Sequence, residues 1–298
     1  MNDENDLYNS ASPTGQIPDL HIPIEVIHKI RSCESDRFDL LAKAAGLDPK
    51  RDFRGLDLSS ADLTGIDWTE FNFEGSRFID IPGVTPEMVV VPSGEFMTAP
   101  SEVTISRSFA VGRFPVIFDE WDKALDLGFD GPKLKSSFGR GRQPVINVSW
   151  EEAKAYADWL ASYSGKTYHL LTDAEWEHAC RAGSTTFFSF GDDQAELDQY
   201  AWYHDNSKGK THPVGEKKPN AFGLYDMYGN VWEWVNSWHG SYESMPQADP
   251  QEPDTVRIRA LIGGSWNAGA WSLRSADRRY DTPYYCSDDL GFRLARTL

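Results

Sequence analysis

The sequence has few cysteines and no long apolar run, and each shortage excludes a class of protein. Its three cysteines, Cys33, Cys180 and Cys286, are scattered and form no CxxC pair. This argues against a disulfide framework and a zinc site, and it favours the reducing cytoplasm. No apolar run approaches the length of a membrane span, and the N-terminus lacks the basic start and apolar core of a signal peptide. We therefore expect a cytoplasmic chain with no membrane insertion.

Basic residues are also scarce relative to acids, and this limits the partners. The formal net charge is −17, whereas binding to a phosphate backbone or an anionic membrane surface needs basic patches. We expect no nucleic acid as a partner. The chain is 298 residues long, with 40% hydrophobic and 25% charged residues, which is enough for one large globular domain and a smaller appendage.

Composition and spacing divide the chain into four segments. Residues 1–20 are polar and predict a disordered tail, and residues 21–50 have the spacing of a short helical segment. Residues 51–81 contain a short repeat. Residues 84–298 mix strand signals with helical faces and predict the main domain.

The repeat in the third segment has a period of five. Large apolar residues occupy every fifth position, namely Phe53, Leu58, Leu63, Trp68, Phe73 and Phe78. The pattern resembles the pentapeptide-repeat family, whose chain winds into a square β-helix with such rows pointing inward. The stretch suffices for little more than one coil, and a solenoid needs several stacked repeats to bury a core. We interpret it as a cap or spacer on the main domain. The open alternative is an interaction module, in which this N-terminal region makes a second protein contact as an adaptor.

Helix signals in the main domain are local and specific. Ser149 with Glu152, and Thr172 with Glu175, have the spacing of capping boxes, in which each pair satisfies two backbone N–H groups at a helix start. The spacing of Phe118, Trp121, Ala124 and Leu125 predicts one further buried helical face.

The C-terminal stretch from Gly263 to Leu298 combines two kinds of position. Glycines, large apolar residues and arginines suit a packed frame, and they are Gly263, Gly264, Ser265, Trp266, Leu273, Arg274, Ala276, Arg278, Thr282, Pro283, Leu290, Gly291, Phe292, Arg293 and Leu294. The residues between them follow neither a helical stripe nor a strand alternation, so we predict outward-pointing loop positions. These are Asn267, Ala268, Gly269, Ser272, Asp277, Arg279, Tyr280, Asp281, Tyr284, Tyr285, Cys286, Ser287, Asp288 and Asp289.

A compositional bias marks the same stretch. From Ser265 to the end there is no Lys, Glu, Gln or Met, although the rest of the chain uses all four. The stretch resembles the variable region of proteins diversified by diversity-generating retroelements, in which GGSW, LRSA-x-R, TP and GFRLA form a constant frame. In that family, adenines of the template, mostly in asparagine codons, are replaced at random. Such replacement can give Tyr, Asp, Ser, Cys, Gly, Ala, Arg or Asn, and it cannot give Lys, Glu, Gln, Met or Trp.

This resemblance implies a binding protein with a replaceable surface patch. All the loop positions above belong to the allowed set, whereas Trp266 and Trp271 belong to the fixed frame around the patch. Tyr280, Tyr284 and Tyr285 would supply rigid contact area, as tyrosine does in antibody loops. The implied partner is a macromolecular ligand, most simply a protein.

A broader resemblance covers residues 84–298. The motifs MVVVPSGEF, PVINVSWEEAKAYADWL, LLTDAEWEHACRAG, NAFGLYDMYGNVWEW, GGSW and GFRLA follow in the order found in the formylglycine-generating-enzyme (sulfatase-modifying-factor) family. The resemblance implies an α+β fold, namely the C-type lectin fold of this subtype, irregular and loop-rich. One fold hosts many functions, so it indicates activity only weakly.

We predict that the chain is not an enzyme. The oxidase of that family needs a cysteine pair after its GGS motif to bind copper, because copper(I) requires soft thiolates. Here the segment NAGAWS has no cysteine, and Cys286 lies downstream without a partner. Nor does the sequence show a histidine cluster or a phosphate-binding glycine loop, so we expect no copper and no organic cofactor. The alternative is a non-diversified family member with an enzymatic or accessory role.

The resemblance also implies a structural calcium ion in the loop DMYGNVWE. Carried over by position, Asp226 and Glu233 would offer carboxylates, and Gly229 and Val231 would offer backbone carbonyls. Hard oxygen ligands on a tight loop suit Ca²⁺. The alternative, equally open, is that both carboxylates accept hydrogen bonds from backbone N–H groups or arginines, with no metal.

Overall fold

A computed structural model describes Asp48 and residues 53–59, 72–98, 101–238, 247–248 and 258–298. The predicted disordered tail, the helical segment apart from Asp48 and the middle of the five-residue repeat lie outside these residues. The predictions made for them stay predictions.

Within the described residues the chain forms twelve strands, three α-helices and two short 3-10 helices. The strands are β1 (Arg77–Phe78), β2 (Met88–Val91), β3 (Gly94–Thr98), β4 (Ser101–Ile105), β5 (Phe109–Gly112), β6 (Tyr168–Leu170), β7 (Trp232–Trp238), β8 (Gln247–Ala248), β9 (Arg259–Ile262), β10 (Arg278–Asp281), β11 (Leu290–Phe292) and β12 (Leu294–Thr297). The α-helices are α1 (Phe118–Asp126), α2 (Trp150–Ser164) and α3 (Asp173–Arg181), and the 3-10 helices span Gln194–Gln199 and Ala270–Leu273.

The strands form three sheets. The largest has the order β1-β2-β5-β12-β6, with all pairs antiparallel, so the C-terminal strand lies inside the sheet. The second has the order β10-β9-β7-β11, in which β11 runs parallel to β7. The third joins β3, β4 and β8. The mixture of helices and sheets with long irregular connections agrees with the predicted α+β class.

The main sheet is buried on both faces. Two clusters of buried apolar side chains cover these faces. Met88 and Val90 of β2 belong to the first core cluster, and Val89 and Val91 belong to the second core cluster. Successive strand residues point to opposite faces, so a strand covered on both sides carries a continuous apolar run. This explains the MVVV sequence of β2, in which every residue is buried.

The capping boxes predicted from the sequence are present in both helices. Glu152 accepts the backbone N–H of Ser149 at 2.7 Å and donates its own N–H to the Ser149 hydroxyl at 3.3 Å. Thr172 and Glu175 make the same exchange at 2.8 and 3.2 Å. Helix α2 ends at Gly165, whose left-handed conformation (φ 67°) stops the helix.

Helices α1 and α2 pack through aromatic rings, as the spacing predicted for α1. Trp121 stacks on Tyr156 with ring centroids 5.3 Å apart, and Phe292 of β11 meets Tyr156 edge-on at 5.5 Å. All three side chains are fully buried. This aromatic cluster joins the two helices to β11, at the end of the predicted variable stretch.

The described parts of the five-residue repeat pack on the main domain. Phe53 and Phe73 have ring centroids 5.9 Å apart, and both belong to the first core cluster. Backbone bonds from Gly75 to Val90, and from Val90 to Ser76, connect the repeat to β2. These contacts join the described part of the segment to the main domain. Its interpretation as a cap or spacer, the pentapeptide resemblance and the adaptor role all stay predictions.

Candidate ligand-binding surface

The C-terminal stretch is anchored first by two glycines. Gly263 and Gly264 have φ values of 94° and 76°, which favour glycine. A Cβ at Gly264 would lie 2.8 Å from the buried side chain of Leu273, and one at Gly263 would lie 3.0 Å from Trp176. The close packing explains why this turn carries no side chains.

Hydrogen bonds then tie the start of the stretch to its end. The Trp266 indole donates to the carbonyl of Asp288 at 3.0 Å, and the Ser265 hydroxyl donates to Asp289 at 3.3 Å. Between Trp266 and Asp288 the chain forms the second 3-10 helix and then β10, and it continues into β11. The segment is therefore held at both ends by the second sheet.

A buried ion cluster fixes β10 to helix α3. The Arg278 guanidinium forms ion pairs with the carboxylates of Asp173 and Glu177, and Glu177 is also paired with Arg181. The Arg278 side chain is 11% exposed and that of Glu177 is fully buried. The prediction that Arg278 belongs to the frame agrees with this geometry.

Most of the predicted outward positions do reach the solvent. The exposed ones are Asn267, Gly269, Tyr284, Tyr285 and Cys286, and the half-buried ones are Ala268, Ser272, Asp277, Arg279, Tyr280, Asp281, Ser287 and Asp288. Tyr284 is 72% exposed, the largest fraction among the exposed large hydrophobic residues that the structure describes. We call these thirteen positions the variable surface.

Four of the predicted positions contact one another through Arg279. Its guanidinium lies 3.4 Å from the Asp281 carboxylate and 3.6 Å from the Asp289 carboxylate. Its central carbon lies 5.7 Å from the centroid of the Tyr285 ring. The structure thus brings together residues from β10 and from the following loop.

Asp289 corrects the expectation that every loop position points outward. It is 9% exposed, because its carboxylate accepts the Ser265 hydroxyl and faces Arg279. Two frame positions differ in the opposite sense, since Ala276 and Thr282 are exposed. Their small side chains lie on turns and do not contribute to the core.

The base of the variable surface rests on the second core cluster. Tyr280 and Ala268 are partly buried against it, together with Ala270. Tyr280 thus combines a packed ring with a position on the edge strand β10. We expect replacements at Tyr280 to affect packing more than replacements at Tyr284 or Tyr285.

The residues of the implied calcium loop do not fit a calcium ion. Glu233 is 1% exposed, and both of its oxygens accept hydrogen bonds from Arg293 at 2.8–3.2 Å. Trp176 donates to the same carboxylate at 2.6 Å. A calcium ion would have to displace the buried guanidinium. The geometry instead favours the alternative in which the carboxylates accept hydrogen bonds.

The other three carried-over residues also have protein partners. Asp226 is 3% exposed and accepts the backbone N–H of Gly215 at 2.8 Å. The Gly229 carbonyl accepts the N–H of Val231 at 2.9 Å. Burial raises the pKa of Asp226 to about 6, against the lowering effects of the Gly215 hydrogen bond and Arg293. Among the described residues, no group of three or more His, Cys, Asp or Glu could hold a metal ion.

The two described cysteines have different surroundings. Cys180 is buried, with its sulfur 3.6 Å from the Ser275 hydroxyl, and burial raises the pKa of its thiol to about 12. Cys286 is exposed on the variable surface. In the part of the chain that the structure describes, no helix is long and apolar enough to cross a membrane.

Comparison with known families decides the classification. The family model of the sulfatase-modifying factor enzyme 1-like domain matches residues 80–298. The chain belongs to this family. A curated relative, the formylglycine-generating enzyme of Streptomyces coelicolor, is 37% identical over 174 residues, which cover 53% of this chain and 54% of that enzyme. The chain therefore matches about half the length of this relative.

Two solved structures of similar shape support the predicted fold. PvdO from Pseudomonas aeruginosa has a TM-score of 0.68 and 32% identity, covering 76% of this chain and 99% of PvdO. Treponema denticola variable protein 1 has a TM-score of 0.64 and 26% identity, covering 74% of this chain and 98% of that protein. The predicted family fold is confirmed by these matches.

The relatives overturn the prediction that the chain is not an enzyme. The matched family and the Streptomyces coelicolor relative are enzymes by name, although the fold also occurs in proteins that are not enzymes. The prediction was wrong because it relied on a missing cysteine pair. That absence bears on one copper chemistry and not on enzymatic activity in general.

Phe187 is a surface residue that the sequence analysis missed. Its ring is 51% exposed and lies beside Arg274, with 4.1 Å between the ring centroid and the guanidinium carbon. Phe187 belongs to the loop before the first 3-10 helix, far from the C-terminal stretch in sequence. No local pattern could place it there, because the contact depends on the tertiary fold.

Proposed function

We propose that the chain is a ligand-binding protein whose variable surface is diversified by a retroelement. The observation that carries the proposal is the separation of roles along one segment. Fixed residues such as Gly264 and Arg278 make buried contacts, while thirteen of the fourteen positions between them reach the solvent. The similarity to a structure named as a variable protein supports the same function.

The chemistry of the variable surface suits a protein ligand. Tyr284 and Tyr285 are exposed and offer rigid amphipathic area that loses little conformational entropy on binding. Arg279 with Asp281 adds charged groups that select complementary partners. Because these side chains make few core contacts, we infer that they can be exchanged without unfolding the frame.

Sequencing the DNA around the gene tests the diversification directly. We expect a reverse transcriptase gene and a second copy of the codons for residues 263–298. The two copies are expected to differ only where the template copy has adenine. A neighbourhood without such a copy, or differences concentrated at Gly264, Arg278 and Phe292, would contradict the proposal.

The binding role has its own test. A library randomised at Tyr284, Tyr285 and Asp281 can be displayed and selected against lysozyme as an arbitrary protein target. A matched library at Tyr163, Asp158 and Ser162 on helix α2 serves as the control, because these residues are also exposed. We expect binders from the first library alone. Equal yields would show that the variable surface has no special capacity.

An enzymatic role is the second candidate, favoured by the 37% identity to a formylglycine-generating enzyme. It predicts that the protein converts the cysteine of a sulfatase-type peptide to an aldehyde in the presence of copper and oxygen. The aldehyde is detected with a hydrazide probe. Cys286→Ser is the informative variant, because Cys286 is the exposed one of the two described thiols.

A further inference from the structure

A stack of three side chains lies beside the variable surface. The Arg274 guanidinium carbon is 3.6 Å from the centroid of the Trp271 ring and 4.1 Å from that of Phe187. Both rings are largely exposed, Trp271 at 66% and Phe187 at 51%. We call these three residues the Arg274 stack.

The frame holds both rings in place. The Phe187 carbonyl accepts the N–H of Ser275 at 2.9 Å and its hydroxyl at 3.1 Å. Trp271 belongs to the 3-10 helix whose last residue, Leu273, is fully buried against Gly264. The stack is therefore preorganised, so little side-chain conformational entropy is lost when a ligand binds to it.

The guanidinium of the stack has no acceptor among the described residues. The Arg274 side chain makes no hydrogen bond or ion pair with the described residues, and its Nε atom is buried without a partner. The backbone carbonyl of Arg274 accepts the N–H of Asp277 at 2.9 Å. The terminal nitrogens are not buried in this way. An unpaired guanidinium retains its donors for a ligand, because Arg stays charged and presents a planar fork.

The other arginines stacked on rings among the described residues all have an oxygen acceptor. For Arg142 and Arg259 it is a backbone carbonyl, that of Val214 and that of Asn236. Arg113 lies over Tyr225 and forms an ion pair with Glu87. Arg140 lies over Phe118 and forms one with Asp122. Ring stacking therefore accompanies an ion pair in both of these cases. Arg274 has the stacking but no acceptor for its guanidinium among the described residues.

Asp277, which belongs to the variable surface, interacts electrostatically with Arg274. Burial raises the pKa of Asp277, while the charges of Arg278 and Arg274 lower it. Asp277 thus interacts with Arg274 through space but makes no ion pair with it. An external acid would compete with this weak attraction.

We propose that the Arg274 stack is a fixed binding site for a carboxylate carried by a protein partner. Both ring centroids lie within 4.1 Å of the guanidinium carbon, so in this proposal a ligand reaches the terminal nitrogens of Arg274. A carboxylate matches the planar fork with two parallel hydrogen bonds. The rings also offer apolar walls to the carbon atoms beside that carboxylate. The site does not require diversification of the neighbouring positions.

NMR titration of the ¹⁵N-labelled full chain tests the site with four small probes. Acetyl-phenylalanine and its amide represent a chain terminus, and the amides of acetyl-glutamate and acetyl-glutamine represent a side chain. We expect an acid, but not its matched amide, to shift the indole N–H of Trp271 with a Kd on the order of 1 mM. Whichever acid binds more tightly identifies the source of the carboxylate. Equal binding of acid and amide, or tighter binding of inorganic phosphate, would overturn the proposal.

Three variants sharpen the result. Arg274→Lys keeps the charge but loses the fork, and we expect affinity to fall about tenfold. Arg140→Gln is the matched control, because Arg140 is another ring-stacked surface arginine, already paired with Asp122 and outside the variable surface, and its loss is expected to leave binding unchanged. Asp277→Asn removes the competing acid and is expected to strengthen binding about two- to fivefold.

A fourth variant separates a loss of binding from a loss of folding. Trp271→Ala truncates a side chain that is 66% exposed, so we expect an unchanged melting temperature and weakened probe binding, followed here through the amide signals of residues 272–275. If Arg274→Lys and Arg140→Gln weaken binding equally, the site is not at Arg274. If Trp271→Ala melts normally and binds acids as well as the parent protein, the ring has no role and the proposal fails.

Discussion

At the residue scale, the pair Arg293–Glu233 explains why the loop implied by the family resemblance does not fit calcium here. Arg293 is fully buried, and its remaining donors bond the carbonyls of Gly112 and Tyr225, each at 2.8 Å. It thus joins β5, the loop before β7 and β7 itself. A guanidinium with all of these partners takes the place and charge that a divalent cation would supply.

Removing one partner of the Arg293–Glu233 pair is expected to destabilise the fold strongly. Arg293→Met leaves the buried Glu233 charge unpaired and is expected to lower the free energy of unfolding by roughly 3–5 kcal/mol. Urea unfolding measures the change. Arg279→Met, at a surface arginine, is expected to cost less than about 1 kcal/mol. Adding Glu233→Gln to Arg293→Met is expected to recover part of the loss, and no recovery would argue that the pair does not act as one unit.

Calcium is expected to leave stability unchanged for the same reason. A ligand that binds the folded state alone raises the melting temperature, because it adds a stabilisation that grows with the logarithm of its concentration over Kd. We therefore expect equal melting temperatures in excess calcium and in excess EDTA, measured by scanning calorimetry. A calcium-dependent rise that Glu233→Gln abolishes would show that Arg293 yields its place to the ion.

His178 provides a pH-dependent prediction. It is 6% exposed, contacts Phe96 and Phe222, and is hydrogen-bonded through Nε2 to the Pro92 carbonyl at 2.8 Å. Burial lowers its pKa below 6.5, so the unfolded chain takes up this proton first as the pH falls. The folded state is therefore destabilised progressively below about pH 6.5.

The effect is measured as a difference between variants. Free energies of unfolding at pH 7.5 and pH 5.5 are compared for the parent protein and for His178→Gln. We expect the free energy of unfolding to fall less on acidification in His178→Gln than in the parent protein, because the glutamine side chain does not titrate. An equal loss in both proteins would assign the pH dependence to other groups.

At the scale of elements, the sequence predicted correctly those features that depend on residues close together in the chain. The capping boxes at Ser149 and Thr172 and the buried face of α1 follow from residues three or four positions apart. The parallel pairing of β11 with β7 could not be predicted, because Leu290 meets Trp232 across a long connection. The burial of Asp289 also escaped prediction, since it depends on Ser265 and Arg279 meeting there.

The capping box of α2 gives a prediction at this scale. Ser149→Ala removes the hydroxyl that accepts the Glu152 N–H, and we expect a loss of about 1 kcal/mol in the free energy of unfolding. Ser162 is an exposed serine within the same helix. Ser162→Ala is expected to be neutral or slightly stabilising, because alanine favours the helix. Similar losses for both variants would mean that the box does not stabilise α2.

At the scale of the whole molecule, the two core clusters and most of the variable surface are separate. The clusters fill both faces of the main sheet, and the C-terminal stretch enters them through frame residues such as Leu273, Phe292 and Leu294. Of the variable surface, Ala268 and Tyr280 pack against the clusters. Sequence could indicate this division because frame and surface differ in residue type. It could not indicate Phe187, which reaches the same surface from another part of the chain.

This separation predicts that surface and stability vary independently. Simultaneous alanine replacement of Asn267, Tyr284, Tyr285 and Cys286 removes exposed side chains, so we expect the melting temperature to stay within about 2 °C of the parent value. Leu273→Ala leaves a cavity beneath the same segment and is expected to cost roughly 2–5 kcal/mol. Thermal unfolding followed by circular dichroism compares the two variants.

If the fourfold variant unfolds as readily as Leu273→Ala, the exposed side chains stabilise the fold themselves. A surface of that kind could not be exchanged freely, because each new set of side chains would have to restore the lost stability before it could bind anything.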